Sequence, residues 1–350
     1  MDYNKNPFSL SFGRIPPEYI VRSQIIDYVY ETFTLDPVTT QNFIITGVRG
    51  SGKTVTMTAI CEQFKNLSDW TIIKISPLDD ILDTLLKSLK KILKTKDPTI
   101  TFGSAYLNVS IKEQEQSINS EIDELLEKFE KKHMHILITI DEITDTPQMR
   151  KFSSSLQLFI TNNRPIYFIG TGLFEEFEKL KNISNLTFLY RTPKLIMEPL
   201  NIVAMAQTYQ RIFHIPGKQA LRMASMTKGY SYAFQVLGYL YWEEPGEPGE
   251  PGEFPTKRLL NRFDAQLADA TYNKLWSNLS ETDQRVVKCI TDNEGGKTKD
   301  IAAASDMDSN KFNQYRRRLK DQGIIDVSQY GKISFALPRF KEFVKLYSSF

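Results

Sequence analysis

Short apolar runs alternate with stretches of helical periodicity along the first half of the chain. Each run is too short for a helix and apolar at nearly every position, which is typical of strands buried on both faces of a sheet. Four runs are clear, and a fifth candidate follows them: Asn42–Thr46, Thr71–Ile75, His135–Ile140, Ile166–Gly170 and, less regularly, Leu186–Met197.

Helical patterns separate these runs. Leu78–Lys94 and Ser120–Lys132 each place their apolar residues on one face at the spacing of an α-helix. Strands that alternate with helices predict an α/β fold with a mainly parallel sheet, covered by helices on both faces. This α/β region ends near Pro199.

The pattern changes in the second half of the chain. Asn201–Trp242 is helical in pattern and is followed by three successive Glu-Pro-Gly triplets, which we interpret as an exposed acidic linker. Thr256–Leu279 again has a helical pattern, and a compact C-terminal region follows it. The predicted division is an N-terminal segment 1–30, an α/β core 31–200, a helical region with its linker 201–279, and a C-terminal domain 280–350.

Composition narrows the class of protein. The 350 residues include 41% hydrophobic residues and carry 44 Lys and Arg against 42 Asp and Glu, a net charge of +2. These are ordinary globular values, so any surface that binds nucleic acid must be local. The two cysteines, Cys61 and Cys289, exclude a disulfide framework and a cysteine-rich zinc site, and three histidines leave little room for a histidine-rich metal centre.

The N-terminus lacks the basic and apolar regions of a signal peptide. No apolar run reaches the roughly 18 residues that a membrane-spanning helix needs. We therefore expect a cytoplasmic protein that does not contact a membrane.

The sharpest chemical signal is GVRGSGKT, which runs from Gly47 to Thr54 and is called the phosphate loop below. Glycines at these positions let the backbone direct its N–H groups at phosphate oxygens, and the helix that follows directs its positive end at the same anion. Lys53 supplies a charge for the β- and γ-phosphates, and the Thr54 hydroxyl is a hard ligand for Mg²⁺. The predicted nucleotide-binding residues are Gly47, Val48, Arg49, Gly50, Ser51, Gly52, Lys53, Thr54 and Val55.

An acidic pair follows the third apolar run. Five apolar residues before Asp141 and Glu142 bring the two carboxylates to the end of a buried strand. We interpret Asp141 as a ligand of Mg²⁺ and Glu142 as the group that polarises the attacking water. The alternative is a helix N-cap, a position that Asp favours.

The next apolar run ends at Thr171. Its hydroxyl is a candidate contact for the γ-phosphate or for the attacking water. The alternative is an ordinary loop threonine without a role in the site.

With these motifs the sequence resembles the AAA+ ATPases, and within them the prokaryotic branch near the Orc1/Cdc6 initiators and their STAND-like relatives. The segments that carry the resemblance extend over nearly the whole chain: NPFSLSFGRIPPEYIVR, GVRGSGKT, ILITIDE, YFIGTGL, FLYRTPKLIMEPL and KGYSYAFQVLGYLYW. The resemblance implies strand order 5-1-4-3-2, a helical lid over the nucleotide, and ATP hydrolysis that drives conformational change.

The resemblance also assigns roles by position. Lys53 and Thr54 match Walker A, Asp141 and Glu142 match Walker B, and Thr171 matches sensor 1. Two further positions are less specific. Arg191 lies where family members place an arginine that reaches a neighbouring subunit's γ-phosphate, although a structural ion pair is the alternative, and Ile20, Val21 and Arg22 match the segment near the adenine.

The sequence departs from the family pattern at two places. The family often has Gly-Arg just before the first helix, whereas this sequence has Val21-Arg22 and so lacks the glycine. The lid segment Gly229-Tyr230-Ser231-Tyr232 lacks the sensor 2 arginine of the initiators. We therefore expect weaker coupling between lid and γ-phosphate, slow hydrolysis, and action as a nucleotide-dependent switch.

The C-terminal region resembles a winged helix-turn-helix. The segment Ser280 to Asp283 predicts a capping box at the start of a helix. A short helix is predicted for Thr298–Ala304, and a second helix is predicted to begin after its cap Ser309 and to end near Gly323. Two short strands follow, IIDV and KISFAL. In such domains the second helix enters the major groove of DNA.

The charge of this region supports nucleic-acid binding to a modest degree. Residues 297–350 contain eleven Lys and Arg against six Asp and Glu, a net charge of +5. The predicted contacts to DNA lie opposite the apolar stripe of the second helix: Lys311, Gln314, Arg317 and Arg318. The alternative is a solvated helix face on a domain that mediates protein contacts.

Two functions follow from these features. The first is an AAA+ ATPase that binds and hydrolyses Mg-ATP and engages double-stranded DNA through its winged helix. The second is a STAND-like signalling or scaffold ATPase whose winged helix binds protein. A homo-oligomer or a protein partner fits either function.

Overall fold

A computed structural model describes residues 5–11, 13–96, 111–174, 176–177, 191–244 and 255–347. These residues form two compact units. The first contains Met1–Val21, Gly47–Gly52 and Met197–Phe350, and the second contains Arg22–Thr46 and Lys53–Ile196. The triplets of the acidic linker after Glu244, and the part of the fifth strand candidate before residue 191, lie outside the described residues.

The second unit is built on a five-stranded parallel sheet. Across the sheet the strands lie in the order β2-β3-β4-β1-β5, which confirms the predicted order 5-1-4-3-2 and the α/β fold. The strands are β1 Asn42–Thr46, β2 Trp70–Ile75, β3 His135–Ile140, β4 Ile166–Gly172 and β5 Lys194–Ile196.

Five helices of this unit have both ends among the described residues. Leu85 of the third, Leu126 of the fourth and Phe152 of the fifth are fully or nearly fully buried in one core with Ile138 of the sheet. Continuous apolar strands are required here because helices cover the sheet. The helices are α1 Ser23–Thr34, α2 Lys53–Lys65, α3 Ile81–Lys96, α4 Ile111–Lys131 and α5 Pro147–Thr161.

Two of the element boundaries that differ from the prediction are the end of β4 and the start of α3. β4 continues past Gly170 to Gly172, so that Thr171 lies within the strand rather than in a loop. The predicted helix from Leu78 begins only at Ile81, because the Asp80 carboxylate accepts the Asp83 N–H (3.2 Å) and caps the first turn.

The first unit is mainly helical. A short antiparallel pair, β6 Ile325–Asp326 and β7 Ser334–Phe335, is its sheet among the described residues. In the described ranges no helix is both long and apolar enough to cross a membrane. The helices are α6 Ile202–Phe213, α7 Gly217–Met226, α8 Ser231–Glu243, α9 Lys257–Leu267, a π-helical turn Ala268–Tyr272, α10 Asn273–Asn278, α11 Glu281–Asp292, α12 Thr298–Ala304, α13 Ser309–Asp321 and α14 Phe340–Tyr347.

One hydrophobic core joins the lid helices α6–α8 to the C-terminal helices. Tyr272 of the π-helical turn donates a hydrogen bond to the Pro338 carbonyl (2.5 Å), and its ring meets Phe340 edge-on with the centroids 5.1 Å apart. Lys228, between α7 and α8, donates to the Phe335 carbonyl (2.8 Å). The segments predicted as lid and winged helix are therefore parts of one packed body.

The C-terminal region has helix-turn-helix and strand elements where the sequence predicted them. Ser280 and Asp283 form the predicted capping box at the start of α11. α13 is capped by Asp308, not by Ser309 as predicted, because the Asp308 carboxylate accepts the N–H groups of Asn310 (3.0 Å) and Lys311 (2.9 Å). Gly323 follows this helix with φ of +66°, a conformation that favours glycine.

Candidate nucleotide-binding site

The phosphate loop curls between the end of β1 and the start of α2. Gly50 and Gly52 have φ of +76° and +93°, a backbone region that glycine adopts without steric cost. Within the loop, the Ser51 N–H donates to the Val48 carbonyl (3.2 Å). Gly50 and Gly52 are thus required by the conformation of the loop itself.

Two segments of the first unit contact residues 47–52. Tyr230 to Tyr232, at the start of α8, hydrogen-bond to the loop backbone. Gly323, in the turn between α13 and β6, lies so close to Val48 that a Cβ at Gly323 would collide with the Val48 side chain. Within the first unit the loop is therefore bonded to the start of α8 and lies close to the turn after α13.

The second unit brings Thr54, in the first turn of α2, to the acidic pair. Lys53, the residue before it, is only 9% exposed. The Thr54 hydroxyl donates to the Asp141 carboxylate at 2.8 Å from Oδ2. Asp141 follows directly after β3, so the two predicted metal ligands are neighbours at the carboxyl ends of the strands.

Thr171 completes this group from the adjacent strand. Because β4 pairs with β3 in parallel register, Thr171 lies beside Asp141. The Thr171 side chain is fully buried, its hydroxyl donates to Oδ1 of Asp141, and the same hydroxyl accepts the Glu142 N–H (3.1 Å). Thr171 therefore orients both carboxylate residues in this arrangement.

Glu142 has an uncommon backbone conformation. Its φ of +55° lies in the left-handed region, which costs a non-glycine residue on the order of 1–3 kcal/mol. The Glu142 N–H bond to Thr171 and the Ile143 N–H bond to the Thr171 carbonyl (2.7 Å) hold it there. The Glu142 side chain is exposed, so its carboxylate is accessible to water.

The chemistry of these donors fits Mg²⁺ as part of a nucleotide complex. The Thr54 hydroxyl and the Asp141 carboxylate are the hard oxygen ligands that Mg²⁺ prefers, and they are already adjacent. Across the described residues there is no group of three or more His, Cys, Asp or Glu side chains that would hold a metal alone. A magnesium ion here would complete its shell with water and phosphate oxygens, as Mg²⁺ usually does.

The remaining residues predicted for the nucleotide have different environments. Arg191 is exposed, and its neighbour Thr192 is buried and accepts a hydrogen bond from the Asn42 amide (2.5 Å) at the amino end of β1. Ile20 packs against the core of the first unit, whereas the Val21 side chain is exposed. Arg22 is the N-cap residue of α1.

The four residues predicted to contact DNA do not share one environment. Lys311, Gln314 and Arg317 are exposed on α13. Arg318 is also exposed, with 48% of its side chain accessible, but it forms an ion pair with the buried Asp283 of α11, with its Nε at 3.0 Å from Oδ1, and its guanidinium lies 4.7 Å from the centroid of the Tyr315 ring. Arg318 is thus exposed, as predicted, but unlike the other three residues it is held in an ion pair with α11.

Sequence reasoning missed the lid residues that contact the phosphate loop. In the sequence, the segment Gly229–Tyr232 is distinguished by the missing sensor 2 arginine, and nothing in it indicates the contacts of Tyr230 and Ser231. The one signal in the sequence is the glycine at position 229, which favours a tight turn before α8. In the structure Gly229 has φ of +75°. The contact itself links residues about 180 positions apart and follows no motif.

Comparisons with known proteins agree with this description. Residues 38–186 match the sequence family Novel STAND NTPase 3, and residues 269–344 match a domain of unknown function, DUF8462. No curated protein sequence matches the chain.

Several solved structures are similar over nearly the whole chain. The Orc2 protein of Aeropyrum pernix, solved as ADPNP–ADP complexes, has 12% identity and a TM-score of 0.60, with 96% of each chain covered. Cdc6p of Pyrobaculum aerophilum has 12% identity and a TM-score of 0.48, covering 97% of this chain and 96% of its own. The Orc2 likeness concerns the fold. Together with the STAND match it confirms the resemblance to AAA+ proteins of the Orc1/Cdc6-like or STAND-like kind.

Proposed function

We propose that this protein is an AAA+ switch that binds Mg-ATP, hydrolyses it slowly, and engages double-stranded DNA through its winged helix. The observation that carries the ATPase part is the hydrogen-bonded group of Thr54, Asp141 and Thr171, with the exposed Glu142 beside it. Three separate segments of the chain converge there. They supply a metal ligand, its carboxylate partner and a carboxylate accessible to water.

In this proposal each side chain has a distinct task. Lys53 and the N–H groups of the loop bind the phosphates, and Thr54 with Asp141 would hold Mg²⁺, which neutralises charge on the β- and γ-phosphates when bound. Glu142 accepts a proton from the attacking water. Thr171 keeps Asp141 and Glu142 in place, so its contribution is to orient them.

Titration calorimetry with Mg-ATP, followed by a phosphate-release assay, tests this function. We expect saturable ATP binding that weakens when EDTA removes Mg²⁺, and slow release of phosphate. Repeating the release assay with duplex DNA shows whether DNA changes the rate. The absence of ATP binding would overturn the proposal.

Arg191 lies at the wrong end of the sheet to serve its own subunit's Thr54 and Asp141. β5 pairs in parallel with β1, with Lys194 beside Ile44 and Ile196 beside Thr46. Arg191 therefore precedes β5 at the amino end of the sheet, where the neighbouring Thr192 bonds to Asn42 at the start of β1. A catalytic role of Arg191 thus requires a second subunit.

We expect Arg191→Ala to lower ATP hydrolysis only at concentrations where subunits assemble. An arginine supplied across an interface contributes about 10³-fold or more in related phosphoryl transfers. The measurement is the hydrolysis rate over a dilution series with the mass determined at each step. Arg222→Ala, which removes an exposed arginine of α7, is the matched control. A defect of equal size at every concentration would rule out the role between subunits.

The proposed DNA contacts are Lys311, Gln314 and Arg317 on the exposed face of α13. The Arg317 side chain is 86% exposed and has only a long contact with Asp321 (3.8 Å). Arg318 contributes less, because it neutralises Asp283, whose side chain is 5% exposed. Substituting the two neighbouring arginines one at a time therefore distinguishes a role in DNA binding from a role in stability.

We expect Arg317→Ala to weaken binding of duplex DNA at low salt while the melting temperature stays unchanged. If Arg317 contacts a phosphate, the slope of log K against log salt falls by about one unit. We expect Arg318→Ala to destabilise the fold by about 1–3 kcal/mol, because Asp283 loses its cationic partner. Lys288→Ala on α11 removes the same charge from another exposed site and controls for net charge.

The second candidate function is a STAND-like scaffold ATPase whose winged helix binds protein. The match of residues 38–186 to a STAND family favours it, and so does the use of Arg318 in an internal ion pair. This candidate predicts nucleotide binding without affinity for DNA at low salt. The salt series on wild type and Arg317→Ala therefore separates the two functions.

A further inference from the structure

The first turn of α8 binds three consecutive carbonyl groups of the phosphate loop. The Tyr230 hydroxyl donates to the Arg49 carbonyl, the Tyr232 N–H to the Gly50 carbonyl (3.0 Å), and the Ser231 hydroxyl to the Ser51 carbonyl (2.9 Å). Since the three donors belong to consecutive residues, the N-cap residue Tyr230 and the first two residues of α8, they act on the loop as a set.

Tyr230 and Tyr232 approach the phosphate loop so closely that position 50 requires glycine. A Cβ at Gly50 would collide with the Tyr230 hydroxyl and would lie 3.0 Å from the Cβ of Tyr232. Gly50 also has a positive φ. Gly50 therefore serves the contact with the lid as well as the shape of the loop.

Tyr230 is held in place by hydrogen bonds of the main chain around it. The Gly229 carbonyl accepts the Leu200 N–H (2.8 Å), and the Tyr230 N–H donates to the Thr227 carbonyl (2.8 Å). The Tyr230 side chain is 6% exposed, and burial raises the pKa of its hydroxyl well above the ordinary value. The hydroxyl therefore remains protonated and available as a donor.

The hydrogen bonds to these three carbonyls also restrict the orientation of the N–H groups of the loop. Each peptide unit is planar, so the orientation of a carbonyl fixes that of the N–H on the next residue. In a phosphate loop the N–H groups cradle the α- and β-phosphates. A loop whose carbonyls are already bonded loses less conformational freedom when it binds an anion.

We propose that Tyr230 and Ser231 are positioning residues for nucleotide binding, which act through the backbone of the phosphate loop and support ATP and ADP equally. Both side chains are uncharged and bond to the loop carbonyls, so they give the γ-phosphate no counter-charge. The α- and β-phosphates are common to both nucleotides. This inference rests on the proposed function, because it concerns the same site.

The test is Tyr230→Phe, which removes one hydroxyl and keeps the ring. We expect the dissociation constants of Mg-ATP and Mg-ADP to rise by the same factor, about three- to tenfold for one hydrogen bond. Ser231→Ala should act in the same way. Titration calorimetry with each nucleotide measures both constants, and thermal melting of the nucleotide-free protein measures stability.

Tyr209→Phe is the matched control. The Tyr209 hydroxyl is also buried in the lid and donates to a main-chain carbonyl, that of Phe234 (2.7 Å), within α8 and away from the phosphate loop. We expect this variant to melt at a lower temperature while it keeps both nucleotide affinities. Only a residue that positions the loop should lower the affinities as well.

Three outcomes would overturn the inference. Tyr230→Phe could lower the melting temperature and leave both affinities unchanged, as the control does, or it could weaken ATP alone, which would mean direct action at the γ-phosphate. If wild type binds neither nucleotide, the proposed function fails and this inference fails with it. If wild type binds both nucleotides, either of the first two outcomes overturns this inference alone.

Discussion

Lys53→Ala is expected to weaken Mg-ATP binding by about 100-fold or more, or to abolish it. A lysine is a cationic donor to the β- and γ-phosphates, and charged hydrogen bonds contribute about 1.5–3 kcal/mol each. At 9% exposure Lys53 is poorly screened by solvent, so alanine leaves the phosphate charge without compensation there. Titration calorimetry with Mg-ATP measures the loss.

Lys65→Ala provides the comparison for Lys53→Ala. Lys65 is the last residue of α2, and its side chain is half exposed and paired with Glu62. An equal change in charge on the same helix should therefore leave ATP affinity near the wild-type value. Unchanged affinity in Lys53→Ala, in a variant that still melts cooperatively, would disprove the assignment of the phosphate loop.

The second large effect is expected for Glu142→Gln, which should bind Mg-ATP like wild type and lose hydrolysis. Glutamine keeps the shape of the side chain but does not accept a proton from water as a carboxylate does. Loss of a general base lowers a rate by about 10²- to 10⁴-fold. The measurements are ATP affinity by calorimetry and single-turnover phosphate release.

Glu62→Gln, an exposed glutamate of α2, controls for the loss of one negative charge. Because the Glu142 N–H rather than its side chain bonds to Thr171, the substitution leaves the backbone contacts in place. Wild-type hydrolysis in Glu142→Gln would show that another group activates the water.

Much of the second unit could be predicted because its signals are local. The apolar runs of β1 and β3 have the predicted boundaries, since a strand covered on both faces must be apolar throughout. The phosphate loop and the acidic pair are likewise contiguous in sequence. The family resemblance supplied the strand order, which depends on contacts between distant segments.

The interactions that sequence reasoning did not predict join distant segments through single side chains. Helical periodicity places Arg318 away from Phe312 and Leu319, but it does not reveal that Asp283 lies within reach. Thr171 was predicted as a contact of the γ-phosphate, yet its bonds to Asp141 and Glu142 depend on the register between β3 and β4. Tyr230 meets Arg49 because of how α8 packs, which no periodicity encodes.

The core that joins the lid to the C-terminal helices limits which segments of this protein can be removed or exchanged with those of another protein. A winged helix attached by a free linker can be cut off or exchanged as a module. Here a cut before α11 would remove Phe340 and Pro338 from Tyr272, and would leave a buried aromatic ring and its hydroxyl facing water. Exchange of the winged helix alone is thus excluded by packing. The smallest segment that can be transplanted intact at this end of the chain includes the lid.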